Sequence, residues 1–229
     1  IGRAKVVYSV ADIDSVPRAE YEDFDAEKTL FLDALKSAQD EMKRLGHRMK
    51  NKLAASENEL FDVYVRILDE DHLGQEVIEL MAAEKLNAQA ALADVIKKHT
   101  SQFDSMDDLY LKERASDFRD LGRRVLAILQ KNIKEHDDYP KNTILIGEEV
   151  TAADLAEVPV EHLKGIVSAK GSNNSHVAIL ARSLGIPTVM GVRGLKLEHL
   201  DLKSIVVDGH YGQVFISPTK SVLSLIHIS

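Results

Sequence analysis

The chain has 229 residues, 45% of them hydrophobic but only 5% aromatic, a formal net charge of −8 and no cysteine. That charge argues against a nucleic-acid backbone or an anionic membrane as partner, and the absence of thiols removes disulfides, thiolate chemistry and cysteine-held metals. No window approaches the roughly 18 apolar residues of a membrane span and no signal-peptide pattern opens the chain, so a cytoplasmic setting is expected.

Ala4 to Val10 is apolar and β-branched, the composition of a strand, and a polar link containing Pro17 follows. The period then changes. Phe31, Leu35, Ala38, Met42, Leu45 and Met49 recur at alternating steps of four and three, one stripe of a long helix. Ala54, Ala55 and Ser56, with Glu57 and Glu59, break that helix and start a second. The second stripe, Leu60, Tyr64, Ile67 and Leu68, is bent around Asp69 to Gly74 and resumes at Leu73, Val77, Leu80 and Met81. Asn87 is placed to cap a third helix with Leu92, Val95, Ile96 and Phe103 inward. Asp107 and Asp108 open a fourth, with Leu111, Ala115, Phe118, Gly122, Val125 and Leu129 inward. Four helices on short links predict an antiparallel four-helix bundle over residues 23–139.

From residue 143 the pattern becomes α/β. Strands are expected near residues 143–146, 166–168, 187–190, 205–208 and 213–217, the last two joined by a hairpin link, Asp208-Gly209-His210-Tyr211-Gly212. The first strand belongs with these by composition. The expected architecture is therefore an α/β subdomain made from both chain ends, residues 1–22 and 140–220, with the helical bundle inserted between them. Residues 221–229 are set aside as a tail outside the domain, of the kind a cloning scar or truncation leaves.

The chemistry concentrates between Gly165 and Gly191. A short apolar strand ends at Lys170-Gly171, and four small polar residues, Ser172, Asn173, Asn174 and Ser175, follow; their side chains suit the free N–H groups of a helix start. His176 to Arg182 reads as that helix, stopped by Gly185 and Pro187. One histidine thus lies on a first helical turn, where unpaired N–H donors and about half a positive charge favour a bound anion. A phosphoryl acceptor fits this placement; so does a capped surface helix with a histidine on its first turn. The nine histidines show no metal-ligand spacing, so no metal site is expected in this chain.

Gly171-x-x-x-Ser175-His176-x-x-Ile179-x-Ala181-Arg182-x-x-Gly185-Ile186-Pro187-x-Val189-x-Gly191 resembles the phosphohistidine signature of phosphoenolpyruvate-utilising enzymes. The resemblance implies a swivelling β/α phosphohistidine subdomain, phosphorylation of His176 on Nε2, and phosphoryl-holding roles for Asn173, Asn174 and Ser175. Asn174 stands where the family usually has threonine. Residues Tyr110 to Arg124 resemble the corresponding helix of Enzyme I, the phosphoenolpyruvate–protein phosphotransferase of bacterial sugar and nitrogen phosphotransferase systems, and extend the likeness over residues 1 to about 220. The Asn-Ser-His variant and Thr188-Val189-Met190-Gly191 look more like the nitrogen branch.

By that resemblance the helical insert docks a small histidine phosphocarrier protein of the sugar or nitrogen type. Ile67, Glu70, His72, Leu73 and Arg114 match carrier-contacting positions, with Ile67 and Leu73 as an apolar centre and Asp69, Glu70 and Asp71 as acid for a basic carrier face. Two positions depart from the sugar branch: Leu155 replaces a threonine that hydrogen-bonds the active histidine, and Glu57 replaces a lysine near it. Phosphoenolpyruvate and Mg²⁺ are implied only for a C-terminal barrel domain, so no cofactor is expected here and the fragment alone should exchange only with a phosphorylated carrier. Two alternatives remain: the phosphohistidine domain of another phosphoenolpyruvate- or pyruvate-linked enzyme, and a docking module without catalysis.

Overall fold

A computed structural model of the chain describes residues 1–8, 11–107, 109–131 and 139–219, with side chains throughout except at 109–113. The chain divides into two compact units, Ile1–Tyr8 with Asp137–Ser229, and Ser9–His136.

The first unit is built on a six-stranded mixed sheet. Its strands are β1 (Gly2–Val7), β2 (Thr143–Gly147), β3 (Leu163–Ser168), β4 (Thr188–Val189), β5 (Ser204–Asp208) and β6 (Gln213–Ile216). They lie in the order β4-β3-β2-β1-β5-β6. The first four run parallel, and β5 and β6 add antiparallel to the β1 edge. Register puts Ala4 beside Ile144, Val6 beside Ile146, Ile146 beside Val167, and Val167 beside Val189. One face of the sheet is thereby a continuous apolar surface, completed by Ile205, Val207 and Leu200. Strand β2 is buried along its whole length, as expected of a central parallel strand with both faces covered. The structure thus places the N-terminal strand in the same sheet as the last third of the chain, as its composition predicts.

Among the described residues two helices belong to this unit. α6 (Ala152–Glu157) opens with a reciprocal capping box: Asp154 N–H donates to Thr151 Oγ1, and the Asp154 carboxylate accepts from the Thr151 backbone N–H. α7 (His176–Ser183) crosses between β3 and β4. Leu155, the departure on α6, is fully buried.

The second unit holds α1 (Phe24–Met49), α2 (Ala55–Ile67), α3 (Gln75–Glu84), α4 (Ala88–Asp104) and α5 (Leu109–Leu129). The six apolar residues of the α1 stripe are all buried. Asn87 caps α4 through Ala90 N–H at 2.9 Å, as its position predicts. Leu92, Val95 and Ile96 are buried, whereas Phe103 and Phe118 are half-buried and meet edge to face at 6.4 Å. Two glycines let helices approach closely: a Cβ on Gly46 would lie 2.8 Å from Phe61 Cβ, and one on Gly122 would lie 2.6 Å from Ile96 Cγ1.

Three expectations change. The bent second helix is two helices, α2 and α3, joined by a five-residue π-helical turn at Glu70–Gly74, so the described residues of this unit hold five helices rather than four. Asp69 starts the turn by accepting from Asp71 N–H, and Gly74 N–H closes on the Asp69 carbonyl five residues back, which sequence periodicity cannot foresee. The link before residue 23 belongs to the helical unit: Ala11 and Ile13 are buried, and a 3-10 turn at Ile13–Ser15 is capped by Asp12. The first strand ends at Val7, with Ser9 and Val10 outside the described residues, as are Asp108 and the proposed tail 221–229.

Candidate functional site

Strand β3 delivers the chain to a loop, residues 169–175, that turns into α7. Gly171 makes that turn possible: its φ is +86°, and a Cβ there would lie 2.8 Å from Met190 Cε. Beyond it Ser172 organises the loop. Its carbonyl accepts from Ser175 N–H at 3.2 Å and from Ser175 Oγ at 2.8 Å, and its own Oγ accepts from Asn174 N–H at 3.1 Å. The other end of α7 is closed by a Schellman pattern, with Ile186 N–H on the Ala181 carbonyl and Gly185 N–H on that of Arg182.

His176 is the first residue of α7, half-buried. Ser175 is the N-cap, yet its side chain makes no capping bond, contrary to the capping expected of it. The physical reason is local: the Ser175 hydroxyl is turned back to Ser172 instead of onto the helix. The first helical bond runs from Ile179 N–H to the Ser175 carbonyl. Val177 and Ala178 therefore present N–H groups ahead of the hydrogen-bond ladder, in the geometry that binds anions. Asn173 and Asn174 are exposed beside them.

Arg182 takes a structural role beside the site. Read from spacing it lies on a different helix face from His176, and it suggests a structural or interface residue. Its Nη2 donates to the Asn173 carbonyl at 3.2 Å, tying the loop to the body of α7. Both residues line an open cleft of about 670 Å³ that also reaches Thr188 and His210. Sequence reading also passed over Thr151-x-x-Asp154, a capping-box signature visible in the letters alone.

The residues matched to carrier-contacting positions lie in the helical unit. Glu70, Asp71 and His72 are exposed on the π-helical turn, Ile67 ends α2 half-buried, and Arg114 on α5 is half-buried. Leu73 is corrected: at 4% exposure it faces the core, because the π turn rotates it inward. Asp69 is half-buried and engaged in capping Asp71 N–H, with Gln39 Nε2 at 3.4 Å. Nearby, burial pushes the Tyr64 hydroxyl well above its ordinary range, and the charge of Asp117 together with the hydrogen bond to it pushes it further, while Arg114 opposes them. Among the described residues no group of three or more His, Asp or Glu side chains gathers around a metal position.

Comparison with known proteins defines the class. Residues 1–114 match the family model of the PEP-utilising enzyme N-terminal domain, and residues 139–212 match that of the PEP-utilising enzyme mobile domain. A phosphoenolpyruvate-protein phosphotransferase of Staphylococcus carnosus is 34% identical over 203 residues, covering 88% of this chain and 35% of that protein. A Salmonella typhimurium protein named phosphoenolpyruvate-dependent phosphotransferase system is 34% identical over 206 residues, 90% of this chain and 27% of that one. The chain thus spans about a third of the length of such relatives. The N-terminal domain of Enzyme 1 - Nitrogen superposes with a TM-score of 0.64 at 31% identity, covering 99% of this chain and 92% of that one. A solution structure of Enzyme I (nEIt) gives 0.78 at 26% identity, with the same coverage. The chain belongs to the Enzyme I family and corresponds to its N-terminal part.

Proposed function

We propose that this chain is the phosphoryl-transfer part of a phosphoenolpyruvate–protein phosphotransferase and that His176 is its acceptor. The observation that carries this reading is a histidine at the start of a helix whose N-cap side chain, Ser175, is turned away from the helix N–H groups, inside a motif of more than ten matched positions. In the transfer, the lone pair of His176 Nε2 attacks phosphorus in line while the bond from phosphorus to a carrier histidine breaks and its electron pair returns to that ring. The step is reversible and needs no net proton. The N–H groups of Val177 and Ala178, with the side-chain amides of Asn173 and Asn174, supply donors for the phosphoryl oxygens, while Ser175, whose hydroxyl and N–H both donate to the Ser172 carbonyl, holds the loop that presents them. Such transfer depends on positioning and charge stabilisation.

The helical unit, read as an antiparallel bundle inserted into the phosphohistidine domain, is assigned to docking a small histidine phosphocarrier. Ile67, Glu70, Asp71, His72 and Arg114 form the contact set, with Asp69 adding charge from beneath. The net charge of −8 favours a basic carrier face and disfavours nucleic acid. Likeness to the nitrogen-type domain and the Asn-Ser-His sequence support a carrier of the nitrogen system. Phosphoenolpyruvate, with Mg²⁺, is assigned to the part of the enzyme that these 229 residues do not represent, and the setting to the cytoplasm. Among the described residues no helix is long and apolar enough to cross a membrane.

The test is the intact mass of the chain after mixing with phosphorylated histidine phosphocarrier. One acid-labile phosphoryl group is expected on the wild type and none on His176→Ala, which should keep its far-UV circular dichroism. Phosphorylation of the alanine variant, or no transfer from sugar-type or nitrogen-type carriers, would overturn the assignment.

A further inference from the structure

We infer that Arg182 is a positioning residue for the phosphoryl site, acting through the backbone of Asn173; this rests on the assignment of His176 as acceptor. Side chains on a helix lean toward its N-terminus, and six residues of α7 rise only about 9 Å. A guanidinium at position 182 therefore reaches back past the helix start, and its Nη2 meets the Asn173 carbonyl at 3.2 Å.

The hydrogen bonds around Ser172 join residues 172, 174 and 175 to one another. They set the shape of the loop, which follows Gly171, where φ is +86°. The Arg182 bond ties residue 173 to the far end of the same helix and so holds the angle between loop and helix. Two functional consequences follow. The Ser175 hydroxyl stays on Ser172 rather than swinging onto the helix N–H groups, which keeps Val177 and Ala178 available to an anion. Asn174 and Ser175 also keep a fixed direction relative to the His176 ring. In-line transfer is sensitive to this, since about 1 Å of misplacement costs on the order of 100-fold in rate.

Arg182 is solvent-exposed, so the bond itself contributes only modestly to stability. Its effect belongs to geometry. A lysine keeps the charge and a donor but loses the planar fork, and so replaces it only in part.

The experiment uses the 229-residue chain as wild type, Arg182→Met and Arg182→Lys. Amide hydrogen exchange at Asn174 and Ser175 is followed by NMR, and phosphoryl transfer from phosphorylated carrier by stopped flow. For Arg182→Met, exchange at both amides should accelerate about 10-fold, and kcat should fall about 10-fold with KM for the carrier unchanged, a change of about 1.4 kcal/mol in the barrier. Arg182→Lys should lie between it and the wild type, and it also serves if the methionine variant does not fold. Unchanged exchange and kcat would overturn the role, and a raised KM at constant kcat would make Arg182 a carrier contact instead. A wild type that accepts no phosphoryl group, even with the loop loosened in Arg182→Met, would overturn the function and this role with it. A competent wild type beside an unaffected Arg182→Met would overturn the role alone.

Discussion

Gly122→Ala tests how closely α4 and α5 approach. In an open helix interior this change is favourable by roughly 0.5–1 kcal/mol, because glycine loses more backbone freedom on folding. Here the new methyl carbon would lie 2.6, 2.7 and 3.2 Å from Ile96 Cγ1, Cδ1 and Cγ2. Ile96 is 1% exposed and β-branched, so its side chain has no alternative rotamer to retreat into. Overpacking of this kind costs about 1–3 kcal/mol. The clash exceeds the propensity gain, and a net loss of about 1–2 kcal/mol is expected, lowering Tm by roughly 2–8 °C for a chain of this size. Ile96→Ala removes all three clashing atoms. In that background Gly122→Ala should stabilise by about 1 kcal/mol, so the effect changes sign and the coupling is about 2–3 kcal/mol. Urea unfolding of the four proteins, followed by far-UV circular dichroism, measures it. A Gly122→Ala variant no less stable than the wild type, or an equal cost in both backgrounds, would show that the helices do not touch at this point.

Two further outcomes are expected. Burial pushes the Glu76 carboxyl up, but hydrogen bonds from Lys98 at 2.7 Å and His99 at 2.6 Å outweigh it and hold the group below its ordinary value. Its contribution is therefore fully present above the unfolded glutamate pKa of about 4.3 and lost as pH falls through the lower folded value. Glu76→Gln should be less stable than the wild type near pH 7, with the gap closing in acid; a gap in Tm that stays constant from pH 7 to acid would refute the pairing. Thr151→Ala removes the capping hydroxyl of α6 and should cost about 1 kcal/mol in thermal unfolding, with Thr151→Ser close to wild type. An alanine variant as stable as the serine one would mean that the capping box contributes nothing.

The legibility of this chain followed the range of the interactions involved. The α1 stripe could be read because a 3.6-residue period places Phe31, Leu35, Ala38, Met42, Leu45 and Met49 on one face whatever packs against them, and all six are buried. Asn87 at its cap and the link between β5 and β6 were equally visible, since each depends on residues a few positions apart. So was the placement of His176 at a helix start, with Gly185 and Pro187 ending the helix behind it.

What required the fold were choices between states of similar local energy. Ser175 can cap a helix or bond Ser172, and the loop geometry selects the second. Leu73 reads as either apolar surface or core, and one π turn decides for core. The reach of Arg182 to Asn173 spans nine residues and depends on the angle between loop and helix. The order β4-β3-β2-β1-β5-β6 likewise follows from which faces bury together, information no short window contains. By itself the sequence determined the α1 stripe, the Asn87 cap and the place of His176 at a helix start. The tertiary structure decided that the Ser175 hydroxyl turns to Ser172 rather than onto α7, because hydrogen-bond competition is settled by distances that only the folded chain sets.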